Sequence, residues 1–421
     1  MTDRNFDATN LADLPKAVYE IVADTPVTDM HTHVYAPDFG GLLLWGIDEL
    51  LTYHYLVAEF FRVTDMAYGQ FWKLDKKAQA DAIWRALFIE RSPISESCRG
   101  VLTVLHKLGL DTSARDLDDY RAWFAEQDAR DFVDKVYQTA NLKTAVMTND
   151  PFDDTERPVW EKGWEGDPRF RAVLRIDPLL TNWDGIFTRL EAMGYEVVTA
   201  LSNRSISEVR RFLSDWVEKM DALYMAVSLP PTFRYPEESV RARLIDECVL
   251  PVCREHGIPF AMMIGVKRGV NDALRLAGDG VGHADVGSVE RLCAAHPENK
   301  FLVTMLAREN QHALTVATRK FRNLLLFGCW WFLNNPSLIE EMTRMRFELL
   351  GTSVVPQHSD ARVLDQVIYK WEHSRQIIAR VLADKYADLA VTGWTLSEAE
   401  IRRDAERLLG GNFWEFLGKQ P

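Results

Sequence analysis

The chain has 421 residues, of which 47% are hydrophobic, and this is ample material for a large buried core. Its 62 acidic and 49 basic residues give a formal net charge of −13. This charge argues against a bulk attraction to nucleic acid or to an anionic membrane, so we expect neither as a partner. A small anionic substrate stays compatible, because a local arginine can bind one inside an acidic protein.

The cysteines, the first residues and the apolar stretches of the sequence indicate the cellular compartment of the protein. Five cysteines without any C-x-x-C pair are typical of reduced thiols in the cytosol. Residues 1–16 are charged and lack the apolar segment of a secretory signal. The most apolar stretch, residues 324–333, is too short to span a bilayer. We therefore expect a cytoplasmic protein.

The first strand-like run, PVTDMHTH at residues 26–33, ends in His31 and His33. Side chains two positions apart on a strand point to the same face, so these two imidazoles can grip one metal ion. The alternative is a hydrogen-bonded pair of core histidines, and the spacing alone does not separate the two.

Further strand-like runs follow, each nearly continuous in apolar residues, which is typical of parallel strands covered on both faces. They are 143–149, 171–176, 224–229, 259–266, 300–306, 324–332 and 350–355. Amphipathic helical stretches lie between them, and Ser205 with Glu208 predicts a capping box at the start of one helix. Eight buried strands alternating with helices predict an α/β fold, a (β/α)8 TIM barrel forming a single domain over residues 1–421.

One interval breaks this rhythm. The residues between the first and second strands carry helical patterns such as AQADAIWRALFIE and no convincing strand. We interpret residues 36–140 as a helical insertion after strand 1, on the face where barrel active sites lie. There it would form a lid or wall over the site.

Polar residues at the carboxyl ends of barrel strands converge on one cavity, and several follow these runs. Asp360, after the last strand, is the natural third ligand, because the last strand lies beside the first once the barrel closes. With His31 and His33 it would make a two-histidine, one-carboxylate metal site. The alternative for Asp360 is the N-cap of a following helix.

The other candidates also have structural alternatives. Arg175 either binds an anion or forms a buried ion pair with Asp177. His54 and Tyr55, in the YHY run of the insertion, either reach the site or pack an aromatic helix face. For His358 we favour a supporting role.

The combined motifs resemble the uronate isomerases, which include the glucuronate isomerases and belong to the amidohydrolase superfamily of metal-dependent barrels. The resemblance covers nearly the whole chain, and GCWWF and HSDAR weigh most together with the histidine pair. The motifs are H-x-H at 31–33, TYHY at 52–55, TNDPFDD at 148–154, LRIDPLL at 174–180, MIG at 263–265, ARENQ at 307–311, GCWWF at 328–332 and HSDAR at 358–362. Met263 departs from the histidine common in the family, and no bridging lysine follows strand four. Both departures argue for at most one metal.

The resemblance implies a barrel of the metal-dependent hydrolase type and an aldose–ketose isomerase. It would interconvert D-glucuronate with D-fructuronate, or D-galacturonate with D-tagaturonate, through an enediol. It also implies one divalent cation, with zinc favoured, a hexuronate as the small-molecule partner and self-association into a homo-oligomer. The implied site residues are metal ligands His31, His33 and Asp360, catalytic Asp360, Arg362, His54 and Tyr55, and substrate-binding Arg175, Trp331 and Arg308.

Two other functions remain open from the sequence. A mononuclear hydrolase or decarboxylase would use the same metal site to activate water, although it would not need Arg362 beside its base. A non-catalytic barrel that binds sugar acids is the second alternative, and Met263 is the residue that favours it.

Overall fold

The computed structural model describes residues 4–420, and at its centre is a curled sheet of seven parallel strands. Sheet order follows chain order, with each strand paired to the next. The strands are β1 (Val27–Thr32), β2 (Leu142–Asn149), β3 (Phe170–Arg175), β4 (Met225–Leu229), β5 (Phe260–Ile264), β6 (Phe301–Met305) and β7 (Leu324–Leu326). Their side chains are almost all buried, which confirms the double-covered parallel sheet predicted from the apolar runs.

Helices cover the outside of the sheet, as a right-handed βαβ succession requires. Those that follow β2 to β7 are Arg157–Glu161, Asp177–Thr181, Trp183–Ala192, Asn203–Met220, Val240–Leu244, Leu250–Glu255, Val286–Ala295, Gln311–Thr318, Pro336–Leu350 and Gln366–Val391. The helix Leu14–Asp24 precedes β1, and Glu398–Glu406 and Asn412–Leu417 end the chain. Two short antiparallel ribbons complete the structure, Asn5–Phe6 with Leu396–Ser397 and Val266–Lys267 with Gly280–Val281.

The helix predicted to start with a capping box at Ser205 begins one turn earlier. Ser202 is its N-cap, and its hydroxyl accepts a hydrogen bond from the backbone N–H of Ser205. Glu208 instead pairs with Arg211 one turn along the helix. Both serines satisfy the same capping preference, so the sequence pattern alone did not choose between them.

The eighth segment of the barrel wall is not a regular strand, contrary to the prediction for residues 350–355. The helix Pro336–Leu350 runs to the start of that segment, and only Val355 pairs with the sheet, as an isolated bridge to Phe327. Beyond it, Asp360 N–H donates to the carbonyl of His31, and His33 N–H donates to that of Ala361. A loop thus joins β7 to β1 and closes the barrel.

The seventh strand is also shorter than predicted because the chain turns at Gly328. This residue has φ of 64°, a left-handed conformation that favours glycine. A methyl group there would overlap the imidazole of His358. The turn sends Trp331 back towards the mouth of the barrel, where Trp331–Leu333 forms a 3₁₀ turn.

The long segment between β1 and β2 is helical. Its α-helices are Ile47–Leu51, His54–Val63, Tyr68–Phe71, Lys76–Trp84, Glu96–Lys107, Leu117–Ala125 and Ala129–Ala140. Leu364 N–H donates to the carbonyl of Leu44, so this segment is tied to the closing loop. Within residues 4–420, no helix is long and apolar enough to cross a membrane.

We predict that Gly328→Ala destabilises the fold more than Gly257→Ala does. Gly257 also has positive φ, 65°, but open space surrounds its Cα, so alanine there meets only the left-handed penalty of about 1–2 kcal/mol. Alanine at 328 adds overlap with His358, at about 1–3 kcal/mol. Urea unfolding of both variants measures the difference, and equal losses would contradict the proposed close approach.

Candidate active site

Three ligand atoms meet at the carboxyl end of the barrel. Nε2 of His31 lies 3.8 Å from Oδ1 of Asp360, and Nε2 of His33 lies 3.4 Å from the same oxygen. All three ligand atoms fall within 4.8 Å of one another. The structure therefore brings together the histidine pair of β1 and the carboxylate of the closing loop.

Hydroxyl groups fix the tautomer of each imidazole. Tyr224 donates its hydroxyl proton to the carbonyl of Met30, so Nδ1 of His31, 3.1 Å away, must donate to the phenol oxygen. Thr148 likewise donates to the carbonyl of Thr32, so Nδ1 of His33, 2.7 Å away, donates to Thr148. With the proton on Nδ1, each Nε2 presents a lone pair towards Asp360.

Burial keeps both imidazoles neutral. It lowers the pKa of His31 to about 3 and holds the pKa of His33 well below its usual value. Oδ1 of Asp360 has no hydrogen-bond partner among residues 4–420. Two nitrogen lone pairs and a carboxylate oxygen thus converge without a proton between them, and a divalent cation fits such a donor set. Zinc prefers these ligand types in a tetrahedral arrangement with one open position.

The backbone conformation of the closing loop positions Asp360, and Asp360 does not cap a helix. The nearest helix begins at Gln366, so the helix-cap alternative is wrong. Asp360 adopts φ of 52°, an uncommon conformation for a residue with a side chain. Asp29 fixes the neighbouring peptide, because its Oδ1 accepts from Ser359 N–H at 3.0 Å and its Oδ2 from Trp371 Nε1 at 2.8 Å.

Four more of the sequence-predicted residues line the cavity of the triad. They are His54, Arg175, Trp331 and Arg362. His54 enters from the helical segment after β1, Arg175 ends β3, and Arg362 follows Asp360 in the closing loop. Burial holds the pKa of His54 well below its usual value, so this ring is neutral.

Arg175 makes the ion pair foreseen as its alternative and still faces the cavity. Its Nε and Nη2 lie 2.9 and 3.1 Å from the two carboxylate oxygens of Asp177. Asp177 in turn accepts from the backbone N–H of Ser228 at 3.2 Å. The bidentate pair fixes the guanidinium plane, and the guanidinium nitrogen outside the pair is free to bind an anion.

Two predicted residues lie outside this cavity. Tyr55 lines an adjoining cavity and hydrogen-bonds Tyr53, which itself hydrogen-bonds Arg362. Arg308 is exposed and pairs with Glu341 at 3.0 Å. The structure therefore links Tyr55 to the site through Tyr53 and through His54, whose ring centre lies 4.5 Å from that of Tyr55, and it does not bring Arg308 to the triad.

Solved structures of known enzymes match this fold over almost its full length. A uronate isomerase from Bacillus halodurans C-125 is 58% identical, with a TM-score of 0.97, over 98% of this chain and 97% of that one. The chain belongs to the uronate isomerase family. A uronate isomerase from Thermotoga maritima (16% identity, TM-score 0.78, 96% of this chain and 97% of that one) and a glucuronate isomerase from Caulobacter crescentus (15%, 0.78, 100% and 98%) share the fold. No family model and no curated protein sequence matches the chain.

Within this uronate isomerase fold, two polar residues of the cavity wall were not among the predicted site residues. Arg268 comes from the ribbon after β5 and pairs with Asp279, while Ser228 lies near the end of β4. No local motif marks either residue, since a lone arginine in a ribbon and a serine in an apolar run are both common. Met263 lies in the same wall on β5. It places a thioether where the resemblance would put the imidazole of a histidine.

We predict that Tyr224→Phe weakens binding of a divalent metal about 10- to 100-fold, because His31 loses the partner that fixes its tautomer. The measurement is zinc affinity by competition with a chromophoric chelator. Tyr386→Phe is the matched control, since it removes a buried phenol that bonds Asp404 away from the site. Equal zinc affinity in Tyr224→Phe and wild type would refute the tautomer assignment.

Proposed function

We propose that this protein is a uronate isomerase that interconverts D-glucuronate with D-fructuronate and D-galacturonate with D-tagaturonate. The observation that carries the proposal is a single cavity lined by the cation-binding triad and by the guanidinium groups of Arg175 and Arg362, in a chain 58% identical to a uronate isomerase. The reaction needs each of these parts.

The conversion moves one hydrogen from C2 to C1 and moves the carbonyl from C1 to C2. Asp360 takes the C2 proton while water gives a proton to the C1 carbonyl oxygen, which leaves an enediol. The O2 hydroxyl then gives its proton back to water while Asp360 returns a proton to C1. One carboxylate can serve both carbons, because they are adjacent and the group already lies at the centre of the cavity.

Arg362 stabilises the negative charge that develops on the enediol oxygens. Tyr53 hydrogen-bonds Arg362, and Tyr55 hydrogen-bonds Tyr53. Tyr55 therefore acts as a positioning residue and does not contact the substrate. His54, neutral and with Nε2 lacking a hydrogen-bond partner within residues 4–420, is placed to assist ring opening. Trp331 supplies an apolar wall.

His31, His33 and Asp360 would hold one divalent ion, and zinc is the identity that this ligand set favours. When bound, the ion would orient sugar hydroxyls and polarise an oxygen. Arg175 binds the uronate carboxylate through the guanidinium nitrogen outside its pair with Asp177, because that pair holds the guanidinium plane fixed towards the cavity. We assign no role to Arg308, because it pairs with Glu341 outside the cavity. A homo-oligomer in the cytoplasm remains part of the proposal.

Incubation with D-glucuronate and with D-galacturonate in deuterated water tests the reaction class. We expect keto product in each case, with deuterium at C1 where Asp360 exchanges its proton with solvent. Product without the label would mean that Asp360 returns the same proton while shielded from water. No keto product from either sugar in the zinc-loaded enzyme would contradict the proposed function.

Asp360→Asn should lower kcat by about 10²- to 10⁴-fold, because an amide cannot accept the C2 proton. Turnover is measured at saturating zinc, since the substitution also alters a ligand. Asp404→Asn, at a buried carboxylate that bonds Tyr386, is the control and should keep its turnover. Near-wild-type kcat in Asp360→Asn would remove this residue from the proton transfer.

A further inference from the structure

A second cavity adjoins the catalytic one and is not where the reaction above takes place. Its volume is about 260 Å³, well above the roughly 10–15 Å³ that a cavity needs to hold one water. We call it the Lys370 cavity, and its wall includes His54, Tyr55, Glu96, Trp331, Tyr369 and Lys370. His54 and Trp331 line both cavities and so form the partition between them.

Lys370 is the unusual group in this wall. It is only 5% exposed, yet within residues 4–420 its ammonium group has no hydrogen bond and no ion-pair partner. Nζ lies over the rings of Tyr55 and Tyr369, 5.4 and 5.2 Å from their centres. Burial lowers the pKa of Lys370 to about 8, so the group still carries its charge at neutral pH. Aromatic faces alone compensate a buried cation only in part.

The carboxylates in the wall are already neutralised by other partners. Glu96 accepts from Nδ1 of His373 at 2.6 Å and from Arg99 at 2.8 Å. Asp279, on the far side, pairs with Arg268 and accepts from a backbone N–H. Neither carboxylate bonds Lys370, so no acidic residue of the cavity wall pairs with its ammonium group, and the charges of Asp360 and Glu96 act on it only from a longer distance.

The partition supplies further polar groups without partners. Nε2 of His54 and Nε1 of Trp331 are buried and make no hydrogen bond to any other residue of the described range 4–420. An unpaired ammonium group that lines a cavity of this size matches an anion rather than a cation or an apolar ligand.

We propose that the Lys370 cavity is a binding site for a small oxyanion, a phosphate or a carboxylate, separate from the hexuronate in the catalytic cavity. The oxyanion neutralises the ammonium of Lys370 and is large enough to contact the partition formed by His54 and Trp331. The site goes beyond the proposed isomerase reaction, because its ligand is neither substrate nor metal.

Equilibrium dialysis of labelled inorganic phosphate against the zinc-loaded full chain tests the site, first alone and then with D-glucuronate in saturating amounts. We expect one phosphate per chain that D-glucuronate does not displace. Lys370→Met should bind it at least tenfold more weakly. Lys385→Met is the matched control on the same helix, because Lys385 is already paired with Glu348 and Asp388, and it should bind phosphate like wild type.

A second variant keeps Lys370 and supplies its counter-charge from within the protein. Ala58→Glu places a carboxylate in the wall of the Lys370 cavity, so phosphate should again bind at least tenfold more weakly. Displacement of phosphate only when a second D-glucuronate binds would identify a sugar-acid carboxylate as the natural occupant and support the site. Displacement by the first D-glucuronate, equal binding to Lys370→Met, or no phosphate binding would overturn it. Only the competition arm rests on the proposed function, since binding of phosphate alone is measured without substrate.

Discussion

The site depends on how the barrel closes. No regular eighth strand joins β7 (Leu324–Leu326) to β1 (Val27–Thr32), and a loop does so through a few backbone hydrogen bonds. Two of these bonds, from Asp360 N–H to His31 and from His33 N–H to Ala361, lie at the triad itself. The contacts that close the sheet are therefore the ones that set the distance between the carboxylate and the two imidazoles. A regular strand would turn alternate side chains away, whereas the left-handed backbone at Asp360 turns this one inward.

Backbone strain and the burial of ionisable groups lower the stability of the fold in the same region. Asp360 and Trp331 both have positive φ, and such backbone strain costs on the order of 1–3 kcal/mol per residue. Burial also removes the charge of His31 and His33, and it raises the pKa of Asp29 to about 6. These groups persist because hydrogen bonds over-determine them, with a hydroxyl on each imidazole and two donors on Asp29. Strain, desolvation and unpaired acceptors together are typical of a preorganised ligand site.

The sequence predicted the parts that follow from periodicity and from motifs. Seven apolar runs became strands because each is long enough to be buried on both faces, and the H-x-H and HSDAR motifs located His31, His33 and Asp360. The eighth run failed because the helix Pro336–Leu350 takes up its first residue and only Val355 pairs with the sheet. Contacts between distant segments had no local signal. Strand-end position could not reveal that Arg308 pairs with Glu341 or that Arg268 enters the cavity.

One helix, Gln366–Val391, connects closure, site and second cavity. Trp371 donates to Asp29, which holds the peptide next to Asp360, and Ser374 accepts from Gln357 in the closing loop. Lys370 precedes Trp371 on the same turn and faces the Lys370 cavity. A charge bound at Lys370 would therefore lie one residue from Trp371, and only the partition of His54 and Trp331 would separate it from the catalytic cavity. Any coupling between the two cavities has a short physical route, through packed side chains and hydrogen bonds rather than through a large movement.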